Sequence, residues 1–256
     1  MFISSDMEGT AGVVDWEHVR PGGSLYDYYV GLLTGEVNAA IEGAIEGGAN
    51  EFLVNDSHGR MANLRPSELT GKASYLSGRF KPRYMMQGLD ESFDAVFLLS
   101  YHGSMSSARA ALSHTYFPDA FAEVRLNGQV TGEGGINALV ARAYDVPVVL
   151  VTGDERTAQE MQAICPDIKA AIVKKSITRF AAESLHPDKA NDLIRSTARQ
   201  ATEGVSKASP PAIALPATID IRFHNTDYAQ LGCRIAGVVS TGDLTATIEG
   251  DRVPLS

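Results

Sequence analysis

Short, densely apolar runs recur along this chain. They are "MFIS" (1–4), "EFLVN" (51–55), "AVFLLS" (95–100), "VPVVLVT" (146–152) and "AAIVKK" (170–175). Runs of this length, rich in branched residues, predict strands buried on both faces. Between them lies a different periodicity. Residues 32–49, "LLTGEVNAAIEGAIEGGA", place apolar side chains three and four apart and end in Gly-Gly, a helix stop. Residues 135–145 repeat that pattern ahead of the strand at 146, and 155–165 repeat it up to Pro166. Pro187 and Asp188 open a further helix over 187–204. Strands that alternate with helices predict an α/β fold with a mostly parallel sheet flanked by helices.

The pattern changes after residue 205. "SKASPPAIALPAT" (206–218) reads as a connector. "IDIRFHN" (219–225), a short helical piece near 226–232 and "LTATIEG" (244–250) follow. They predict a small α+β appendage over 206–256, set against a catalytic α/β domain over 1–205 whose later segments also contribute to the smaller part.

Composition narrows the choice. With 256 residues the chain can bury a substantial core. Its 44% apolar and 21% charged residues are ordinary for a globular protein. The net charge of -9 leaves no basic excess for phosphates, so nucleic acid is not an expected partner. No run nears the ~20 apolar residues that cross a bilayer, so no membrane partner is expected either. Cys165 and Cys233 are far apart and read as reduced thiols. No basic-then-apolar leader opens the chain. The expected compartment is the cytoplasm.

Acids and imidazoles fall at particular places on this map. The first strand runs into "SSDMEG", with Asp6 and Glu8 two residues apart and so on one side of an extended backbone. The second runs into "NDSHG", with Asp56 and His58; the third into "SYHG", with His102; the fourth into "TGDE", with Asp154 and Glu155. Ligands of open α/β sheets bind outside the carboxyl ends of the strands. Two strand-His-Gly junctions together with the Asp6/Glu8 pair point to a metal, since imidazole with carboxylate is a common zinc ligand set. Two like charges side by side also need a compensating partner, which could be water, a pair of basic residues or a metal ion. Glu133, in "VTGEGGINA", is either a first-turn acid complementing a helix dipole or a further ligand. Asp56 reads as a turn former before a partner of His58, and Asp154 as a helix cap. His18, His186 and His224 share no such context and read as ordinary surface or core residues.

"SSDMEG", "VNDSHG", "SYHG", "LSHTY" and "GEGGINA" occur in this order, and together they resemble the zinc-dependent D-aminopeptidases of the DppA type, peptidase family M55. The resemblance runs from residue 1 to about 180 and more weakly beyond. It implies two zinc ions held by Asp6, Glu8, His58, His102 and Glu133, with His114 of "LSHTY" as the catalytic residue. It implies a larger α/β domain with a smaller one, and homo-oligomers, ring-like decamers with an inner channel holding the sites. The chain departs from the family by ending at "DRVPLS" where a terminal helix is expected.

Five ligands for two metals require a bridge, for which Asp6, leaving its strand on a short arm, is the choice. Glu8 and His58 then complete one metal, His102 and Glu133 the other. The activity implied is hydrolysis of short peptides with a free N-terminal amine, such as D-Ala-D-Ala, by metal-activated water. His114 would stabilise the oxyanion or protonate the leaving amine. Asn127, in "RLNGQ", is first a turn residue and secondly a candidate for binding substrate. Alternatives stay open: a two-metal amidase or phosphoesterase, or a non-catalytic metal-stabilised peptide-binding protein. No G-x-S-x-G elbow supports a serine hydrolase, and no phosphate-binding glycine motif supports nucleotide use.

Overall fold

The computed structural model describes residues 1–250; "DRVPLS" lies outside them, and with it the departure expected there. The chain begins with β1 (Phe2–Ser5), α1 (Tyr26–Glu46), β2 (Phe52–Asp56), β3 (Ala73–Leu76) and β4 (Val96–Tyr101). A hairpin, β5 (Phe121–Leu126) and β6 (Gln129–Val130), comes next. Then follow α2 (Glu133–Ala143), β7 (Val148–Asp154), α3 (Glu155–Gln162), β8 (Lys169–Thr178), β9 (Ala181–Ser184) and α4 (Pro187–Glu203). The last elements are β10 (Ala217–Phe223), α5 (Thr226–Gly232), β11 (Val238–Gly242) and β12 (Thr245–Gly250).

Seven strands form one sheet in the order β3-β2-β1-β4-β7-β8-β9, parallel except for the β8–β9 hairpin. The predicted α/β class with a mostly parallel sheet is what the chain adopts. Alternation along each strand sorts side chains to two faces. Ile3, Val54, Phe97, Leu99 and Val149 meet α1 and α4 through Leu33, Val37, Ile41, Ile194 and Ala198. Phe2, Val96, Leu98 and Val151 meet α2 and α3 through Ala138, Leu139 and Met161. Covered on both sides, β4 and β7 are buried throughout, which is why their sequences read as unbroken apolar runs. The two helices on the first face pack so closely that a Cβ at Gly43 would lie 2.1 Å from the Arg195 carbonyl oxygen.

A second sheet, β11-β12-β10-β5-β6, is antiparallel. Its β5 and β6 come from the middle of the chain, so it draws on residues on both sides of position 205. Helix α1 starts at Tyr26, ahead of the predicted 32, because its first turn carries Tyr rather than aliphatic residues. The strands β3, β5, β6, β9 and β11 had no dense apolar run to mark them. β5, "FAEVRL", instead alternates buried with half-buried positions.

In the parallel sheet, β1 leads to β2 and β3 on one side, and β4 lies on the other. The order of the strands therefore reverses between β1 and β4. A crevice opens at such a point beyond the carboxyl ends of the two strands.

Candidate metal centre

Asp6 and Glu8 follow β1 at that crevice, and His102 follows β4. His58 follows β2, Glu133 is the first residue of α2, and His114 lies in the loop between β4 and β5. All six are buried. The β1 loop is pressed against the end of β4: Gly9 N donates to Ser100 O at 2.7 Å, and a Cβ at Gly9 would lie 2.1 Å from Tyr101 O. Only glycine permits that approach. Ser100 itself takes a left-handed backbone conformation, φ 59°, where the β4–β7 register breaks, and the chain turns into His102.

The carboxylates and imidazoles interleave. His58 Nδ1 lies 3.3 Å from Asp6 Oδ1 and 2.9 Å from Glu8 Oε2. His102 Nε2 lies 3.4 Å from Asp6 Oδ2 and 3.7 Å from Glu133 Oε2. His114 Nε2 lies 3.9 Å from Glu8 Oε1 and 3.6 Å from Glu133 Oε1. The rings of His102 and His114 stack 4.1 Å apart. Asp6 is thus central, with one oxygen turned to each side.

The far nitrogen of each imidazole is engaged by the backbone. His58 Nε2–H donates to Val19 O at 2.7 Å, His102 Nδ1–H to Gly103 O at 3.0 Å and His114 Nδ1–H to Leu112 O at 2.8 Å. Each bond fixes a tautomer whose lone pair points into the cluster. Asp6 Oδ2, Glu8 Oε2 and His102 Nε2 are buried without any hydrogen-bond partner. Three orphaned polar atoms within one buried cluster are costly unless cations meet them.

The charges show the same imbalance. Burial, reinforced by the neighbouring Glu8, pushes the Asp6 carboxyl up to about 8. Burial would also raise Glu8, but His58 outweighs it and holds that carboxyl well below the usual range. Burial works against charge on His102, yet Glu133 and Asp6 lift it to about 10. His114 moves the other way, lowered by burial and by His102 beside it. Without a cation, one of two adjacent carboxylates must stay protonated. His102 with His114 and Glu133, and Asp6 with Glu8 and His102, each offer ligand atoms within 4.8 Å of one another. The donor set fits divalent metal.

The remaining candidates lie around this cluster or away from it. Asp56 Oδ2 accepts from Asn63 N and Leu64 N, and Oδ1 from Asn63 Nδ2, so it shapes the loop after β2 as a turn former. Asp154 Oδ1 accepts from Thr157 N at 2.9 Å and caps α3. Asn127 is not brought to the cluster. It occupies the β5–β6 turn at φ 49°, donates to Ala214 O and accepts from Thr218 N, tying the hairpin to the connector and β10. His18, His186 and His224 also stand outside the cluster.

Two buried groups escaped the sequence reading. Lys174 donates through Nζ to the carbonyl oxygens of Glu8, Thr10 and Val13, and Glu36 accepts from Ala11 N and Ser100 Oγ. They grip the β1 loop from both sides. A lysine inside the apolar run "AAIVKK" was the available signal for one of them.

An α/β sheet that gathers buried carboxylates and backbone-oriented imidazoles at its switch point belongs to the class of proteins built around a divalent-metal centre. The comparisons are more specific. The Peptidase_M55 family, D-aminopeptidase, matches residues 1–254, and this chain belongs to that family. It is 34% identical over 250 residues to a D-aminopeptidase of Bacillus subtilis (strain 168), covering 97% of this chain and 90% of the relative. Its structure is similar to that of the Zn-dependent D-aminopeptidase DppA from Bacillus subtilis, a self-compartmentalizing protease. The TM-score is 0.93 at 33% identity, covering 98% of this chain and 91% of DppA.

Proposed function

We propose that this protein is a zinc-dependent aminopeptidase that hydrolyses short peptides carrying a free N-terminal amine, with D-amino-acid peptides such as D-Ala-D-Ala as its substrates. The observation that carries this reading is the orientation of the imidazoles. Three histidines spend one nitrogen on a backbone carbonyl and turn the other toward shared carboxylates. Asp6, reaching His58 with one oxygen and His102 with the other, would bridge two zinc ions. Glu8 and His58 would complete one site, His102 and Glu133 the other.

Zinc bound here supplies an activated water and polarises the scissile carbonyl. The chain does the rest. An unprotonated substrate amine would bind at the zinc that Asp6, Glu8 and Glu133 hold, which favours an exopeptidase acting at the N-terminus. His114, kept neutral by burial, presents the Nε2 lone pair toward the same space; it can take a proton there from the attacking water and then, as the imidazolium, pass that proton to the leaving amine. Its Nδ1–H bond to Leu112 O keeps that nitrogen correctly aimed. Asn127 is engaged with Ala214 and Thr218, and no role toward substrate is assigned to it.

We infer the same two-part division of the chain, with β5 and β6 joining the C-terminal part. The second sheet and α5 expose Leu231, Ile235 and Val239, apolar surface suited to contact between copies. A homo-oligomer follows, with the ring-like decamer of the resemblance as its proposed form and the cytoplasm as its compartment. Among the described residues no helix is long and apolar enough to cross a membrane.

Chelation tests the central reading. Stripped protein should lose hydrolysis of D-Ala-D-Ala and regain it when two zinc ions per chain return. Zinc at 100 times its dissociation constant should add about 2.7 kcal/mol of stability per site. His102→Ala should bind fewer zinc ions by elemental analysis. Full zinc content and full activity in that variant would refute the ligand assignment.

A further inference from the structure

His114 has a second set of neighbours besides the carboxylates. Trp16 packs edge-on against its ring, with centroids 5.3 Å apart. Two guanidinium groups lie over that indole, Arg20 at 5.3 Å and Arg179 at 5.7 Å from the ring centroid. Arg179 comes from the turn between β8 and β9, which is stitched to the segment bearing His114. Leu112 N donates to Arg179 O at 2.8 Å, and Arg179 Nε donates to Ser113 O at 3.2 Å. The backbone on both sides therefore places this guanidinium next to the catalytic histidine.

Neither arginine has an acidic partner among the described residues. Arg125, Arg142, Arg156 and Arg195, by contrast, each pair with a carboxylate. Two guanidinium groups gathered on one indole without an acidic partner repel one another, and in a chain of net charge -9 acidic partners are plentiful. Keeping both unpaired beside a metal centre leaves a binding place for an anion. Arginine stacked on an aromatic face presents a planar, pre-ordered fork suited to a carboxylate.

A short peptide carries both end groups this surface would recognise. Its amine end, unprotonated, would bind at the zinc that Asp6, Glu8 and Glu133 hold. Its other end is a carboxylate. From the His114 ring over Trp16 to Arg179 the steps are 5.3 and 5.7 Å. An extended peptide covers about 3.3–3.6 Å per residue, so two or three residues reach from one charge set to the other.

We propose that Arg179, assisted by Arg20 and held against Trp16, binds the free C-terminal carboxylate of the substrate and restricts this site to di- and tripeptides with an unblocked C-terminus. The proposal rests on the aminopeptidase reading of the same site. The carboxylate contact forms on binding and persists through reaction, so its loss raises KM more than it lowers kcat.

The test compares D-Ala-D-Ala with its C-terminal amide, using full-length zinc-loaded protein. Wild type should prefer the free acid in kcat/KM by roughly tenfold to a hundredfold, the worth of a hydrogen-bonded charge pair, with most of the difference in KM. In Arg179→Gln the preference should shrink to within about twofold, while Arg179→Lys keeps part of it because charge remains without the fork. Arg20→Gln, at an exposed position, should narrow the preference by a smaller factor and covers the case in which the Arg179 variants fail to fold. A wild type that cleaves the amide as readily as the acid overturns the proposal, as does an undiminished preference in a folded Arg179→Gln. A wild type inactive on both substrates, with zinc bound, overturns the aminopeptidase reading itself and this proposal with it.

Discussion

The two sheets of this protein use burial in opposite ways. In the parallel sheet, β4 and β7 are enclosed on both faces. In the antiparallel sheet, β11 is exposed along nearly its whole length, and the local core consists of Phe223, Ala229 and Ala246 with a few half-buried neighbours. Buried charge follows the same division. Asp6, Glu8, Glu36, Glu133 and Lys174 all lie in or against the parallel sheet. In a thin, exposed sheet water would screen such groups and leave their partners mobile, so they could hold no fixed geometry. They are tolerable where a rigid two-sided core fixes every partner. The first sheet is thus built to hold chemistry and the second to present surface.

Breaking the chemistry should have the largest effect. His114→Ala should lower kcat by about 10²–10⁴, the usual worth of a positioned proton donor or acceptor, with zinc content unchanged. An equal loss of zinc would instead make His114 a ligand. Removing core from the first sheet comes next. Phe97→Ala should cost about 3–5 kcal/mol in urea unfolding, since the ring is wholly enclosed. A cost below that of an exposed substitution would contradict the two-sided core.

The buried acid Glu36 sharpens the contrast through pH. Burial raises its carboxyl to about 7 from 4.5. The folded state therefore holds this proton more tightly than the unfolded chain. The resulting stability is complete below pH 4.5 and is lost as pH climbs through 7, by roughly 3 kcal/mol. Glu36→Gln has no such proton to lose. Wild type should weaken relative to the variant across that window when both are saturated with zinc, and parallel stability curves would disprove it. The smallest effect should come from the second sheet. Val239→Ser, at a position 63% exposed, should change monomer stability by less than about 1 kcal/mol. It should lower the assembly mass measured by light scattering if this face joins copies.

Much of this was legible in the chain itself. The strands β1, β2, β4 and β7 announce themselves as apolar runs, because both faces are covered and polar residues are admitted only near their carboxyl ends, as at Ser4, Asn55, Ser100 and Thr152. Acid or imidazole placed directly after such a run must emerge at the sheet's carboxyl edge, so Asp6, Glu8, His58 and His102 could be located without coordinates. The cap at Asp154 and the proline at the first position of α4 are equally local. The hairpin β5–β6 was not legible, since its alternating residues are also compatible with a loop until β10 pairs with them.

Sequence alone therefore determined which side chains reach the edge of the parallel sheet, since strand period and turn chemistry act over a few residues. Only the tertiary structure decided how they face one another. It turned each imidazole through a carbonyl of a distant or bent segment, brought Lys174 and Glu36 around the β1 loop, and laid Trp16 and Arg179 against His114. Those contacts join residues up to 166 positions apart, and no local pattern encodes a meeting that the packing of helices on both faces of the sheet brings about.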